Sequence, residues 1–408
     1  MNDNLAPIPL QIGTGLPVAG VRLSTAAAAI RYAERDDICL VEVDDGASVA
    51  AVFTQNQFCA APVVVAKEHL EKDPTRYLLI NSGNANAGTG DEGLRAARET
   101  CRAVAAMAGC PMTYVLPFST GVIGEDLPIA PFQNSMPKLL SSLTDDYWAE
   151  AAAAIMTTDT RPKLCSCEVL LSSGKVTVTG MSKGSGMIRP DMATMLAYVA
   201  TDAQVNDALL QNYLAEAVAP SFNSITVDGD TSTNDACVLI ASGASNIEVV
   251  AESSDADIFQ AGLRAVFMHL AREIVRDGEG ATKLVEVAVS GAVDEQDAKN
   301  VAYTIAHSPL VKTAWFASDP NWGRTLAAVG RAGVQNLDLS AVKILLDDVC
   351  IVSAGGRDTA YREEDGQRIM DQGEFSVRVE LGMGDAQYTV LTCDLSYDYV
   401  KINAEYRS

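Results

Sequence analysis

The sequence predicts a fold of mixed α-helices and β-strands. Amphipathic segments that begin with acidic residues alternate along the chain with stretches rich in β-branched residues, and both kinds recur throughout the 408 residues. Apolar residues make up 48% of the chain and charged residues 20%, which is ordinary for a globular protein. We find no internal repeat and no Pro/Ser-rich linker. Collagen-like and largely disordered structures are therefore excluded.

Three amphipathic segments are predicted helices: 90–108, 145–156 and 255–277. In the segment 90–108, acidic residues occupy the first turn, as expected at the N-terminus of a helix. Gly109 follows the last turn, as expected at its C-terminus. In the third, apolar residues from Phe259 to Leu270 recur at helical spacing. These helices are expected to cover sheets.

The sheets are predicted from alternating or continuous apolar stretches with β-branched residues. These stretches are 77–80, 114–116, 175–179, 195–200, 283–289, 343–346 and 375–381. A Gly-rich segment, 180–194, is expected to form a loop between two of the strands.

The net charge of −23 argues against binding to nucleic acid or anionic lipid, because such a surface repels phosphate. No apolar run reaches the roughly 18 residues that span a bilayer. Residues 1–5 have neither the basic nor the apolar region of a signal peptide. We therefore expect a cytoplasmic protein without a membrane role.

The nine cysteines are an odd number and mostly lie in apolar company, so they are expected to be reduced and buried. Cys165 and Cys167 form the closest pair, but their spacing does not fit a zinc or thioredoxin-type motif. The three histidines have no ligand cluster at metal-binding spacing. We expect no metal site and no histidine-based triad.

Thr194 follows the Gly-rich segment and precedes an apolar strand. A threonine hydroxyl becomes a nucleophile when a base lies beside it. The α-amine of the same threonine can act as that base once the preceding peptide bond is cut. The small Ala193 and the glycines before it would let the hydroxyl attack the preceding carbonyl. The alternative is that Thr194 is simply a β-forming residue at a strand start.

Five polar, Gly-containing segments are candidates for sites or for plain turns. Thr120 and Gly121 could offer a hydroxyl and an amide to one oxygen, the geometry of an oxyanion hole, or could end a strand. Segment 228–235 resembles a calcium loop but lacks the downstream glutamate. Segment 81–88 could be only a turn, and segments such as 277–283 and 319–324 are more often caps or turns than sites.

Together these segments resemble the ornithine acetyltransferases of arginine biosynthesis, also called glutamate N-acetyltransferases, a family that cleaves itself at an Ala-Thr bond. The resemblance runs from Ile12 to the C-terminus and rests on nine motifs in the same order. They are 81–87, 119–124, 156–160, 183–187, 192–196, 222–231, 277–280, 319–324 and 400–403. One departure precedes the cleavage bond, where Arg189-Pro190-Asp191 replaces the more usual His-Pro-Asn.

The resemblance implies a role for each matching residue. Thr194 would be the nucleophile, with its freed amine as base, and Thr120 and Gly121 would form the oxyanion hole. Cleavage would fall between Ala193 and Thr194, giving an α chain of 1–193 and a β chain of 194–408. The substrate would contact Thr157, Lys183, Thr194, Glu279, Asn403 and Ser408. Ser408 stands where a threonine also occurs in relatives.

The implied reaction is a ping-pong transfer of acetyl from N2-acetyl-ornithine to glutamate, without metal or organic cofactor. Whether acetyl-CoA is also a donor stays open, as does the end of the substrate that Lys183 and Glu279 each hold. The implied fold is an α+β sandwich of sheets and helices resembling the N-terminal-nucleophile folds, with different connectivity. Relatives assemble as two α and two β chains.

Two other functions compete. A self-processing aminopeptidase or amidase of the same broad fold would differ in using water to release the acyl group. A non-catalytic amino-acid-binding protein could have kept the fold. A denaturing gel separates the last case, since a catalytic protein should run as two bands.

Overall fold

The computed structural model describes residues 7–31, 33–189 and 195–405, and the backbone divides into two compact units. Unit 1 comprises Met1–Gly184, Pro190–Asn223 and Thr231–Ile274. Unit 2 comprises Ser185–Arg189, Ser224–Asp230 and Val275–Ser408. The predicted division into 1–193 and 194–408 concerns a covalent cut and stays a prediction.

Unit 1 contains ten strands and six α-helices among its described residues. The strands are β1 (Gln11–Ile12), β2 (Val21–Ala26), β3 (Ile38–Val43), β4 (Ser48–Phe53), β5 (Tyr77–Asn84), β6 (Val115–Val122), β7 (Lys163–Leu171), β8 (Gly174–Lys183), β9 (Leu196–Thr201) and β10 (Ala236–Ala241). The helices are α1 (Ala61–Lys72), α2 (Gly90–Ala108), α3 (Ala130–Ser141), α4 (Trp148–Ala154), α5 (Asp207–Val218) and α6 (Ser254–Arg276), whose last two residues belong to unit 2.

Two sheets pack face to face in unit 1. One has the order β2-β3-β5-β6 and the other β1-β7-β8-β9-β10-β4. Side chains alternate across a strand, so Leu78 and Ile80 of β5 join the core between the sheets, whereas Leu79 packs with α2 and α3 on the outer face. On the outer face of the larger sheet, Gly180 of β8 lies against Val266 and Leu270 of α6. Unit 1 is thus layered helix, sheet, sheet, helix.

Unit 2 is a six-stranded sheet with helices packed on it. Its strands are β11 (Leu284–Ala292), β12 (Lys343–Leu346), β13 (Val349–Ser353), β14 (Gly356–Arg357), β15 (Glu374–Glu380) and β16 (Ala386–Cys393), in the order β14-β13-β12-β15-β11-β16. Its helices are α7 (Glu295–Ala306), α8 (Pro309–Phe316), α9 (Trp322–Gly330), α10 (Glu363–Met370) and α11 (Tyr397–Ala404). One core joins the sheet to α7, α8 and α9.

The predicted α+β class of layered sheets and helices is confirmed, and the periodic segments form the expected elements. The helix predicted at 145–156 is shorter, Trp148–Ala154, because Thr144 pairs as a β-bridge with Leu23 and donates a hydrogen bond to Asp146. Those contacts hold the acidic residues in a turn before the helix. In the described part of the chain, no helix is long and apolar enough to cross a membrane.

Three segments that the sequence predicts as turns or a loop begin within β-strands. β5 continues through Asn84, β6 through Val122 and β8 through Lys183. Their polar side chains are mostly buried, and hydrogen bonds join some of them, from Ser119 to Asn81 and from Lys183 to Thr120, which permits a sheet where sequence alone favours a turn. All nine cysteines are unpaired, and six of them are buried.

Candidate active site

Thr120 and Gly121 lie near the C-terminal end of β6, beside the parallel strand β5. Thr120 pairs with Ser82, and Gly121 pairs with Gly83, where the register becomes irregular. Gly121 has φ +136°, and a Cβ there would lie 2.2 Å from the carbonyl carbon of Gly83. Such an approach excludes every residue except glycine. The close contact therefore fixes the backbone of the predicted oxyanion hole.

Buried amide side chains tie these strand ends together. The Asn234 amide donates to the carbonyl oxygens of Ala85 (2.6 Å) and Ser119 (2.9 Å). The Ser119 hydroxyl donates to Asn81 Oδ1 at 2.6 Å, and Asn81 Nδ2 donates to the carbonyl of Asn84 at 2.9 Å. Segments 81–87, 119–124 and 233–235 thus form one polar network in unit 1.

Lys183, at the end of β8, donates a hydrogen bond from Nζ to Thr120 Oγ1 at 3.1 Å, and both residues are buried. An ammonium only donates, so the Thr120 oxygen is the acceptor in this bond. The Thr120 hydroxyl can therefore donate its proton in a hydrogen bond to another acceptor. The arrangement places a positive charge directly behind a hydroxyl donor.

Asp159 is the anion of this region, and its side chain is fully buried. It accepts hydrogen bonds from Lys163 Nζ (2.6 Å), from the Gly184 amide (2.7 Å) and from the Thr157 amide (3.0 Å). Burial alone would raise the pKa of Asp159, but Lys183 and Lys163 outweigh it and hold that pKa at about 2. The carboxyl group is therefore ionised.

Asp235, immediately before β10, is a second buried carboxyl group in unit 1. Its Oδ2 has no hydrogen-bond partner within the described residues. Burial raises its pKa well above the usual value, although a Ser232 hydrogen bond and Lys183 act in the opposite direction. Burial therefore works against the charged form of this carboxyl group. Asp159, Lys163 and Asp235 are not among the site residues predicted from the sequence; the 156–160 motif was the available signal for Asp159.

The other predicted residues with described positions belong to unit 2. Asn403 of α11 donates from Nδ2 to Glu279 Oε2 at 2.7 Å. The Glu279 amide donates to the carbonyl of Ser185 at 2.8 Å, and a Cβ on Gly186 would lie 2.4 Å from the Glu279 carboxyl carbon. The segment before the predicted cut thus lies against Glu279 through its glycine.

The structure groups the predicted residues within each unit. In unit 1, Thr120 contacts Lys183, and Thr157 and Gly184 share the Asp159 carboxylate. In unit 2, Glu279 contacts Asn403. The predicted Ala193, Thr194 and Ser408 lie outside the described residues.

Two of the remaining polar segments accept hydrogen bonds from backbone amides. Asn321 accepts a hydrogen bond from the Arg324 amide and caps α9. The Asp228 carboxylate accepts from the amides of Met187 and Ile188 at 2.6 and 2.9 Å. In the described ranges no group of three or more His, Cys, Asp or Glu side chains could hold a metal ion.

Residues 22–408 match the model of the ArgJ family. The chain is 58% identical over 393 residues to the arginine biosynthesis bifunctional protein ArgJ of Methylococcus capsulatus, with 96% of each chain covered. It is 52% identical to the protein of that name from Pseudomonas syringae pv. tomato, covering 96% of this chain and 97% of the relative. The solved ArgJ of Bacillus halodurans is 40% identical, with a TM-score of 0.50; the match covers 52% of this chain and all of that one.

These matches define the class of protein as a bifunctional transferase of arginine biosynthesis. The predicted enzyme class, glutamate N-acetyltransferase or ornithine acetyltransferase, is confirmed. The chain belongs to the ArgJ family.

Proposed function

We propose that the protein transfers acetyl from N2-acetyl-ornithine to glutamate through an acetyl ester on Thr194. The observation that carries the proposal is the hydrogen bond from Lys183 to Thr120. It prepares a polarised hydroxyl donor at the end of a rigid strand. Thr120 and the Gly121 amide are assigned to the oxyanion.

Chain connectivity supports Thr194 as the nucleophile. Lys183 pairs with Leu196, and the Ala236 amide donates to the carbonyl of Met195 at 3.0 Å. Thr194 comes directly before Met195 in the sequence. The proposed nucleophile therefore lies two positions before Leu196, the first residue of the strand that pairs with β8.

The proposed transfer has two halves. Thr194 Oγ attacks the acetyl carbonyl while the Thr194 α-amine takes the hydroxyl proton. The amide C–N bond then breaks, the proton passes to the departing ornithine amine, and an ester remains. In the second half the glutamate amine attacks the ester, Thr194 Oγ leaves and recovers a proton, and acetyl-glutamate forms. The oxyanion of each half is stabilised by Thr120 and Gly121.

Self-cleavage would supply the α-amine. Thr194 Oγ attacks the Ala193 carbonyl, the peptide C–N bond breaks, and water hydrolyses the resulting ester. In support, the solved Bacillus halodurans chain is matched in full by only 52% of this chain. That length is close to either proposed fragment, since 194–408 is 215 of 408 residues, about 53%.

Thr157, Lys183, Glu279, Asn403 and Ser408 are proposed to contact the substrates. A buried lysine suits a carboxylate or an oxyanion, and a carboxylate such as Glu279 suits a substrate ammonium. Assembly as two copies of each fragment, in the cytoplasm, belongs to the same proposal.

Intact mass and donor assays test the proposal. By proportion of 43.1 kDa, the wild type should give fragments of about 20 and about 23 kDa. Thr194→Ala should stay uncut and inactive, and Thr194→Ser, which keeps the hydroxyl, should still be cut. Active enzyme found only at full length would contradict the mechanism.

The acceptor is tested by incubating cut protein with acetyl-ornithine, with and without glutamate. Acetyl-glutamate is the expected product. Release of acetate at the same rate without glutamate would instead indicate the amidase alternative. A parallel incubation with acetyl-CoA and glutamate decides whether that donor is also used.

A further inference from the structure

We propose that Asp228 is a positioning residue for self-cleavage, because it anchors the chain that leads to the proposed cut. The anchored chain is the segment 185–189, which belongs to unit 2, as Asp228 does. In the sequence only residues 190–193 separate this segment from Thr194. The inference rests on the proposed function for self-cleavage, whereas the anchor itself rests on hydrogen bonds within unit 2.

The Asp228 carboxyl group holds two consecutive backbone amides of the segment. Its Oδ2 accepts from the Met187 amide at 2.6 Å, and its Oδ1 accepts from the Ile188 amide at 2.9 Å. Oδ1 also accepts from the Asp230 amide at 3.2 Å, which ties the carboxyl group to its own loop. Because hydrogen bonds are directional, one amide on each oxygen fixes both the position and the orientation of the segment.

Met187 has a backbone conformation that residues with a side chain seldom adopt. Its φ is +56°, in the left-handed region, where the Cβ of any residue except glycine is crowded. The Met187 side chain is exposed, so its packing does not impose this conformation. Such strain persists only where the surroundings hold the backbone, and it is concentrated at functional sites. The bonds to Asp228 supply that hold.

Ile188 is held from its carbonyl side as well. Its side chain is buried, and its carbonyl accepts from the Val227 amide at 2.9 Å and from the Thr226 hydroxyl at 2.8 Å. Since the Thr226 hydroxyl gives its one proton to Ile188, His307 Nε2 is the donor in its 3.1 Å bond to Thr226 Oγ1. His307 thus supports the hydroxyl that holds the Ile188 carbonyl.

The partners of the segment all follow the proposed cut in sequence. They are residues 226–228 and Glu279, whose amide donates to the Ser185 carbonyl at 2.8 Å. Before the cut, these bonds restrict the backbone that leads to Ala193, so less freedom is lost when the hydroxyl attacks the Ala193 carbonyl. After the cut, the same bonds would hold the end of the α fragment to the β fragment.

The test measures the rate at which freshly made chains cut themselves. Chains are produced by cell-free translation and followed over time on denaturing gels. Asp228→Ala deletes both acceptors and should slow cutting about tenfold or more. Asp228→Asn keeps one acceptor oxygen and should slow cutting less. If the alanine variant does not fold, the asparagine variant carries the same comparison.

Asp347→Ala is the matched control. Asp347 is also a carboxyl group of unit 2 that holds a distant segment, since it accepts the amide and the hydroxyl of Ser376 at 2.7 and 3.0 Å. Urea unfolding in the uncut Thr194→Ala background should show a loss of stability for this variant too, but its cutting should not be slowed. Equal slowing in Asp347→Ala, or wild-type cutting in both Asp228 variants, would overturn the proposal.

Hydrogen exchange gives a second readout that does not depend on cleavage. In the Thr194→Ala background, Asp228→Ala should speed exchange of the amides in the segment 185–189, and Asp347→Ala should not. Unchanged exchange in Asp228→Ala would refute the anchor. A wild type that is never cut, but whose segment shows the expected exchange difference, would refute the self-cleavage of the proposed function and leave the anchor supported.

Discussion

The two units hold their polar groups in different ways. In unit 1 the candidate residues lie at strand ends, buried and cross-linked by amides and a carboxylate. In unit 2 Glu279 lies in a loop, and its partner Asn403 lies on the short helix α11, which has no buried residue. Under the proposed function, this difference predicts that the residues of unit 1 fix the catalytic geometry and that Glu279 and Asn403 of unit 2 affect substrate binding.

The largest expected effect comes from Gly121→Ala. Its Cβ would meet the Gly83 carbonyl carbon at 2.2 Å, and backbone must move, so unfolding free energy should fall by at least about 4 kcal/mol. Gly124→Ala is the matched control, because Gly124 also has positive φ but open space around it. That control should cost only about 1 kcal/mol. Denaturant unfolding measures both, and equal losses would refute the close-packing argument.

Acid should destabilise the protein first through unit 2. Burial, Arg189 and Lys312 lower the pKa of His307 from 6.5 to about 4. Between those values the unfolded chain binds a proton that the folded chain does not, so stability falls as pH drops below 6.5, by up to about 3 kcal/mol. His307→Gln should remove this fall in urea unfolding between pH 7 and 4. An identical pH slope in the variant would contradict the assignment.

Asp159 of unit 1 affects the stability of the protein at lower pH than His307 does. Its folded pKa of about 2 lies below the usual 3.8, so its stabilisation is present above pH 3.8 and is lost as pH falls toward 2. The size is about 2 kcal/mol. Asp159→Asn should therefore lose stability at pH 5, and the difference from the wild type should shrink below pH 3.

Thr120→Ala tests the proposed catalytic role of Thr120 in unit 1. The variant deletes one donor to the tetrahedral oxyanion, so kcat should fall about 10²-fold with KM changed much less. The protein should still be cut before Thr194. Thr120→Ser keeps a hydroxyl and should retain most activity. An unchanged kcat in the alanine variant would indicate that this strand end has only a structural role.

Asn403→Ala tests the selective role of unit 2 and should have the smallest effect. Removing the 2.7 Å hydrogen bond frees the Glu279 carboxylate, and KM should rise about tenfold with kcat nearly unchanged. Asn403→Asp places a second carboxylate against Glu279 and should alter KM further. A fall in kcat with KM unchanged would contradict the proposed division of roles between the two units.

Periodicity predicted the helices 90–108 and 255–277 almost to the residue, because their apolar faces and caps are local features. It failed at Asn81–Asn84 and at Ser119–Val122, where Asn, Ser and Gly form buried strand. Some of their partners are distant in sequence: Ser119 bonds to Asn81, 38 positions away, and its carbonyl accepts from Asn234, 115 positions away. Contacts of that range are invisible to local patterns.

The candidate site shows the same limit. The motifs marked Lys183 and Thr120, but their contact spans 63 positions, and the contact of Asn403 with Glu279 spans 124. The ionised state of Asp159 depends on burial and on two lysines brought together by the fold. Residue types could be predicted from sequence, whereas their charge states required the structure.

The position of β9 determines what the proposed cut does to the protein. β9 lies between β8 and β10, and β10 in turn pairs with β4. Cutting before Thr194 would assign β4 and β8 to one fragment and β9 and β10 to the other, so the strands of the two fragments interleave. Each interleaved pair joins six residues in register. The fragments would exchange only by unravelling the sheet, so separately expressed halves should expose strand edges and aggregate unless they fold together.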